Sequence, residues 1–168
     1  MRFLTGVLFG ILLVAVGAAA YVGTGSFNTA ATSPPGTFEK RAAGFALDRS
    51  VAKRAPQTKN PFAGSKDAMT GGLAHYKEMC VTCHGAPGVD ASEIGEGLNP
   101  PAPDLTQPKV QRRTDGELFW IVQNGIRMTG MPAFGPTHKE EEVWKIVAFL
   151  RHLPELTPEE DKQLKRAE

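Results

Sequence analysis

Cys80-Val81-Thr82-Cys83-His84 places two thiols three residues apart and a histidine directly after the second. On a helix that spacing is about one turn, so both thiols can add to the two vinyl groups along one side of a porphyrin. The adjacent imidazole can then turn to the iron. Cys80 and Cys83 are thus the expected attachment residues for one covalent haem, with His84 as an iron ligand. Other uses of a lone cysteine pair fit less well. A redox dithiol expects a thioredoxin-like βαβ setting, which the sequence lacks. Zinc would have to recruit distant histidines. A plain disulfide leaves His84 without a role.

An iron held by His84 has a sixth position, for which the chain offers Met69, Met79, Met128, Met131, His75, His138 and His152. Met79 adjoins an attachment cysteine and His75 lies on the same helix, so neither readily reaches the opposite haem face. Met131 stands in Thr129-Gly130-Met131-Pro132-Ala133-Phe134, where glycine permits close backbone approach and proline fixes the exit. Met131 is the first choice and Met128 the second. His138 and His152 fall near the two ends of the last long helix and read as surface positions.

Three helices must carry these groups. Gly72 to Cys83 has Leu73, Tyr76, Met79 and Cys80 at helical offsets. Thr114-Asp115-Gly116-Glu117 is a capping box opening a helix that Asn124-Gly125 stops. Thr137-His138-Lys139-Glu140 reads as a second box, before the stripe Val143, Ile146, Val147 and Leu150 that runs to Pro154. Thr157-Pro158-Glu159-Glu160 opens a short polar tail helix. From Gly85 to Thr114 the chain is rich in proline and glycine, with no run that reads as helix or strand. So long a loop in a small domain is expected to wrap something large. Phe119, Trp120, Phe134 and Trp144 are expected in the haem pocket or core. Arg112, Arg113 and Arg127 are candidate partners of the haem carboxylates. Glu140, Glu141 and Glu142 fit a helix N-terminus and its macrodipole, not a catalytic site.

The 168 residues carry 19 Lys+Arg against 18 Asp+Glu, a net charge of +1 that excludes nucleic-acid binding by bulk electrostatics. Residues 1–69 nevertheless hold 8 basic and 3 acidic groups. Phe3 to Val22 is uncharged and, as a helix of about 30 Å, long enough to cross a bilayer. Arg2 before it favours a cytoplasmic amino terminus and an exported remainder. Residues 1–22 are expected to be a retained anchor, although Ala18-Ala19-Ala20 also fits a signal-peptidase site, which would leave a soluble periplasmic protein. Residues 23–69, with Thr32-Ser33-Pro34-Pro35-Gly36 and Arg54-Ala55-Pro56, read as a flexible linker holding at most a short helix over Ala43–Ala55. Residues 70–153 are then the haem domain and 154–168 a polar tail.

The segments CVTCH, GMPAF and VWKIVAFLRHL resemble the class I c-type cytochromes, and among them the membrane-anchored single-haem cytochromes of bacterial respiratory chains. The resemblance covers residues 70–153. It implies an all-α fold wrapped round one haem c, with Cys80 and Cys83 in thioether bonds, His84 proximal and Met131 distal. It also implies a first-to-last helix crossing at Gly72, Tyr76, Ile146 and Phe149, and a carbonyl from Pro100 or Pro101 on the His84 imidazole. The implied function is one-electron carriage rather than enzymatic turnover, at the bacterial inner membrane with the haem domain in the periplasm. The implied partners are redox proteins, with the protein acting as a free shuttle or as a haem subunit of an oxidoreductase. The alternative is an open haem that senses a small gas or acts as a peroxidase.

Overall fold

The computed structural model describes residues 2–165, and their regular structure is helical, with one isolated bridge between Ala86 and Val89. Contacts divide them into two units, one up to Ser33 and one from Pro34 onward. The first unit holds α1, Arg2–Gly23, of mean hydropathy 2.4 and with no buried residue. It is long and apolar enough to cross a membrane.

The second unit begins with α2, Thr37–Arg54, followed by α3, Lys66–His75, capped by the Ser65 hydroxyl accepting from the Ala68 N–H. α3 widens into one π-helical turn, Tyr76–Cys80, before α4, Val81–His84. The attachment motif thus begins at the end of that turn and closes α4. Two single turns follow, α5 at Glu93–Glu96 and α6 at Pro108–Gln111, in the stretch expected to be loop throughout. α7 spans Asp115–Asn124, α8 spans Glu140–His152, and α9 spans Pro158–Lys165.

The core lies where α3 and α7 pack on α8. Val143, Ile146, Val147, Phe149 and Leu150 of α8 are buried, each contributing about 1.5–3 kcal/mol by removing apolar surface from water. α3 crosses α8 at Gly72, where an added Cβ would lie 2.6 Å from the Phe149 Cβ and collide with the Lys145 carbonyl oxygen. One turn on, the Tyr76 and Phe149 rings pack 5.4 Å apart, as the resemblance implies. Phe119 and Trp144 stack at 4.2 Å between α7 and α8, and belong to the core.

Several expectations from the sequence need correction. Residues 37–54 are not part of a flexible linker: they form α2, whose Val51 is fully buried, and Asp48 pairs with Arg113 at 2.6 Å. The chain beyond it is also fixed. Asn60 is buried and donates from its side chain to the Trp144 carbonyl at 2.8 Å, while its backbone N–H reaches Asp115 at 3.2 Å. The signal in the sequence was weak because only Leu47, Val51 and Ala55 form an inward stripe, and Asn60 looks like any loop residue. Second, α8 starts at Glu140, not at a Thr137 cap. Thr137 instead bonds the Phe134 carbonyl and His138, and Glu142 accepts from the Lys139 N–H at 2.7 Å. The tail is also less detached than its polarity implies, since Leu164 is buried in the core and Glu160 meets His152 at 2.8 Å.

Candidate functional site

Cys80, Cys83, His84 and Met131 line one cavity of about 370 Å³. The π-helical turn and α4 bring the first three there, and the loop after α7 brings the fourth. Its floor is Ile146 and Leu150 of α8, and its walls include Leu118, Ile121 and Val122 of α7 and Leu98, Pro100, Pro101, Ala102, Pro103 and Leu105 of the long loop. The expected wrapping by that loop is what the structure shows.

The His84 ring is fixed by its Nδ1, 2.8 Å from the Pro103 carbonyl oxygen. A carbonyl only accepts, so Nδ1 carries the proton and Nε2 presents a lone pair. Burial lowers the His84 pKa against the opposing pull of that hydrogen bond, so the ring is neutral at pH 7 and fit to ligate a metal. The bonding carbonyl is that of Pro103, not of Pro100 or Pro101. The Asp104 carboxylate accepts from the Thr106 N–H and hydroxyl and from Gln107, making a tight turn just after Pro103 that aims its carbonyl at the ring. Cys80 is pushed up to about 12 by burial and by Cys83, so at neutral pH its thiol keeps its proton.

Met131 is held by its own loop. The Thr129 hydroxyl donates to the Ile126 carbonyl at 2.7 Å and accepts from the Met131 N–H at 3.1 Å. Gly125, at a φ of +63°, lets the α7 terminus approach the Met131 and Pro132 backbone, where an added Cβ would sit 2.6 to 2.7 Å from backbone atoms. The Phe134 N–H then returns to the Val122 carbonyl at 3.1 Å.

The other sixth-ligand candidates lie apart or are otherwise engaged. Met128 is 90% exposed and outside the cavity. Met79 does line it, alongside the attachment cysteines. His75 and His138 pack ring against ring at 5.2 Å, so His138 is not a free surface group, and His152 is taken by Glu160. Of the three arginines singled out, Arg113 lines the cavity and Arg112 and Arg127 do not. Of the aromatics, Phe134 lines it, while Trp120 does not. Sequence reasoning missed Leu47 of α2 and Lys109 of α6, both in the cavity wall.

The lining is apolar except for this donor set, Thr129 and two cations, Lys109 and Arg113, and among the described residues it contains no carboxylate. Two thiols at attachment spacing, a neutral imidazole with a free Nε2, a thioether and two cations for acidic substituents fit a haem. Comparison with known families gives the same answer. A model described as cytochrome C oxidase, cbb3-type, subunit III matches residues 67–150.

The chain belongs to that family. No curated protein matches it. Membership makes residues 67–150 a cytochrome c domain bearing covalently bound haem c, and the protein an electron-transfer haem protein. The matched segment starts within α3 and ends in the last turn of α8, so α1, α2 and α9 lie outside it.

Proposed function

We propose that this protein is a one-electron carrier in which Cys80 and Cys83 hold the haem through thioether bonds and His84 and Met131 are its axial ligands. The observation that carries the reading is the convergence of these four residues, from two segments nearly fifty residues apart, on one apolar cavity. When bound, the haem supplies reversible one-electron exchange between ferric and ferrous iron. The chain's residues determine how that exchange is used. His84 is held in one tautomer by Pro103, which fixes the direction of its Nε2. Met131 offers a soft, neutral sulfur that favours the ferrous state and so raises the potential. With both positions filled no substrate could bind the metal, and the apolar side chains of Leu98, Ile121, Val122, Ile146 and Leu150 would disfavour water beside it.

The same reading places the carrier at the bacterial inner membrane through α1, with Arg2 on the cytoplasmic side and the haem domain in the periplasm. Its donors and acceptors are other redox proteins. The family description names an oxidase subunit, which favours work within or beside a terminal oxidase.

Carbon monoxide added to the ferrous protein tests the ligand pair. A closed, six-coordinate site gives an unchanged spectrum. Rapid formation of a carbon monoxide adduct by the unmodified protein would show an open site and support gas sensing or peroxidase chemistry instead.

A further inference from the structure

α2 has two apolar stripes on opposite sides, and only one of them is used within the fold. On the inward side, Leu47 lines the haem cavity and Val51 is fully buried, while Asp48, on the flank between the two stripes, binds Arg113. On the outward side stand Phe38 and Phe45, seven residues apart and so nearly aligned along the helix. Phe38 is 84% exposed and Phe45 is 70% exposed. Ala42, Arg49 and Lys53 share this face, and Arg41 and Ala52 edge it. Arg41, Arg49 and Lys53 make no hydrogen bond or ion pair among the described residues. The helix has two acids: Asp48 is taken by Arg113, and Glu39 lies about 100° round from Phe38.

We propose that this outward face rests on an anionic lipid surface, so that α2 is an interfacial helix joining the haem domain to the bilayer. Two aromatic side chains flanked by unpaired cations, with no acid between them, match the boundary where acyl chains meet phosphate headgroups. A protein core would leave the three cations unsatisfied, and bulk water leaves both rings exposed. Charge is one argument for lipid and continuity is another. Gly23 ends the apolar span and Thr37 starts α2, and the residues between them reach at most about 45 Å when fully extended. That tether is long enough for α2 to reach a bilayer that α1 crosses. Because Leu47 and Phe45 stand on opposite sides of the same helix, lipid contact turns the Leu47 rim of the cavity toward the membrane and leaves the remaining rim for redox partners. The inference goes beyond the electron-carrier reading, and its premise is that α1 is retained.

The test uses the full-length, haem-loaded protein in nanodiscs of phosphatidylcholine with or without phosphatidylglycerol, with Phe45→p-benzoylphenylalanine as photocrosslinker. Unaltered haem absorption confirms folding of each variant, and intact mass confirms that α1 is present. The expected product is a phospholipid adduct, formed several-fold more with phosphatidylglycerol than without it. A probe at exposed Ile94 sets the background, and the triple variant Arg41→Gln, Arg49→Gln, Lys53→Gln is expected to bring the yield down to it. A yield at background, an equal yield in neutral nanodiscs, or an adduct to a protein chain would overturn the proposal. A mature chain lacking α1 removes its premise and overturns it too. Altered axial ligation with lipid crosslinking intact would instead count against the electron-carrier reading alone.

Discussion

The imidazole of His84 donates its Nδ1 hydrogen to the carbonyl of Pro103 at 2.8 Å, across nineteen residues of chain. This bond joins the end of the attachment motif to the middle of the long loop, and it turns a surface-like sequence of prolines into part of the haem site. It keeps the ring from rotating about its side-chain bonds and raises the basicity of Nε2. The donor at Met131 is held independently, by Thr129 and Gly125. The two sides of the site therefore have separate supports and separate vulnerabilities.

Gly72→Ala is expected to destabilise the domain by about 1–3 kcal/mol, the range for overpacking a fitted contact. The added methyl group would meet the Lys145 carbonyl and the Phe149 Cβ, both on α8 and neither at the end of a flexible side chain. Denaturant unfolding of the haem-loaded protein followed by circular dichroism measures the loss. An unchanged midpoint would mean that α3 and α8 do not cross as closely as described.

Tyr76 donates its hydroxyl to the Gly85 carbonyl at 2.6 Å and is fully buried, and burial, helped by nearby Asp104, raises its pKa well above 10. Above that value the unfolded chain gives up the phenolic proton while the folded chain retains it. Stability is therefore full below about pH 10 and falls as the pH rises further. Tyr76→Phe is expected to lower stability by about 1–3 kcal/mol, because it leaves the Gly85 carbonyl unpaired. It should also flatten the decline above pH 10. Unfolding midpoints at successive alkaline pH values, measured on both proteins, check the slope as well as the offset.

Val51→Ala is expected to cost about 1–3 kcal/mol, as for other losses of buried aliphatic volume. A charged replacement, Val51→Asp, is expected to release α2 and raise amide hydrogen exchange across residues 47–54 while α7 and α8 stay protected. Asp48→Asn should change stability by less than about 1 kcal/mol, because Asp48 is 58% exposed and its pairing with Arg113 is screened by solvent. Fast exchange through α2 in the unmodified protein would show that this helix is a tether after all.

Much of the fold is legible in the sequence where a local mechanism dictates it. At α7 the Thr114 hydroxyl and the Glu117 carboxylate cap each other in both directions, and at α9 Thr157 and Glu160 do the same. The chemistry is legible for a similar reason, since attachment spacing and a Gly-Met-Pro loop are short-range patterns. Elements set by distant contacts are not. The π-helical turn before the motif has no signature in residues 76–80. The choice of Pro103 over Pro100 or Pro101 depends on the turn that Asp104 makes, and the anchoring of Asn60 on Trp144 joins residues eighty-four apart. α2 falls between these cases. Its helix-forming composition is visible, but a docking face of only a few inward residues gives almost no periodic signal.

The central claim is that His84 and Met131 both ligate the iron, and the absorption spectrum of the ferric protein tests it most directly when Met131→Ala is measured beside it. The account predicts a weak far-red band, reporting methionine sulfur on ferric haem, in the unmodified protein. It also predicts that Met131→Ala loses the band, has a lower reduction potential and, in its ferrous form, binds carbon monoxide. A haem-loaded protein without the band, or a Met131→Ala variant that keeps both the band and the potential, would contradict it.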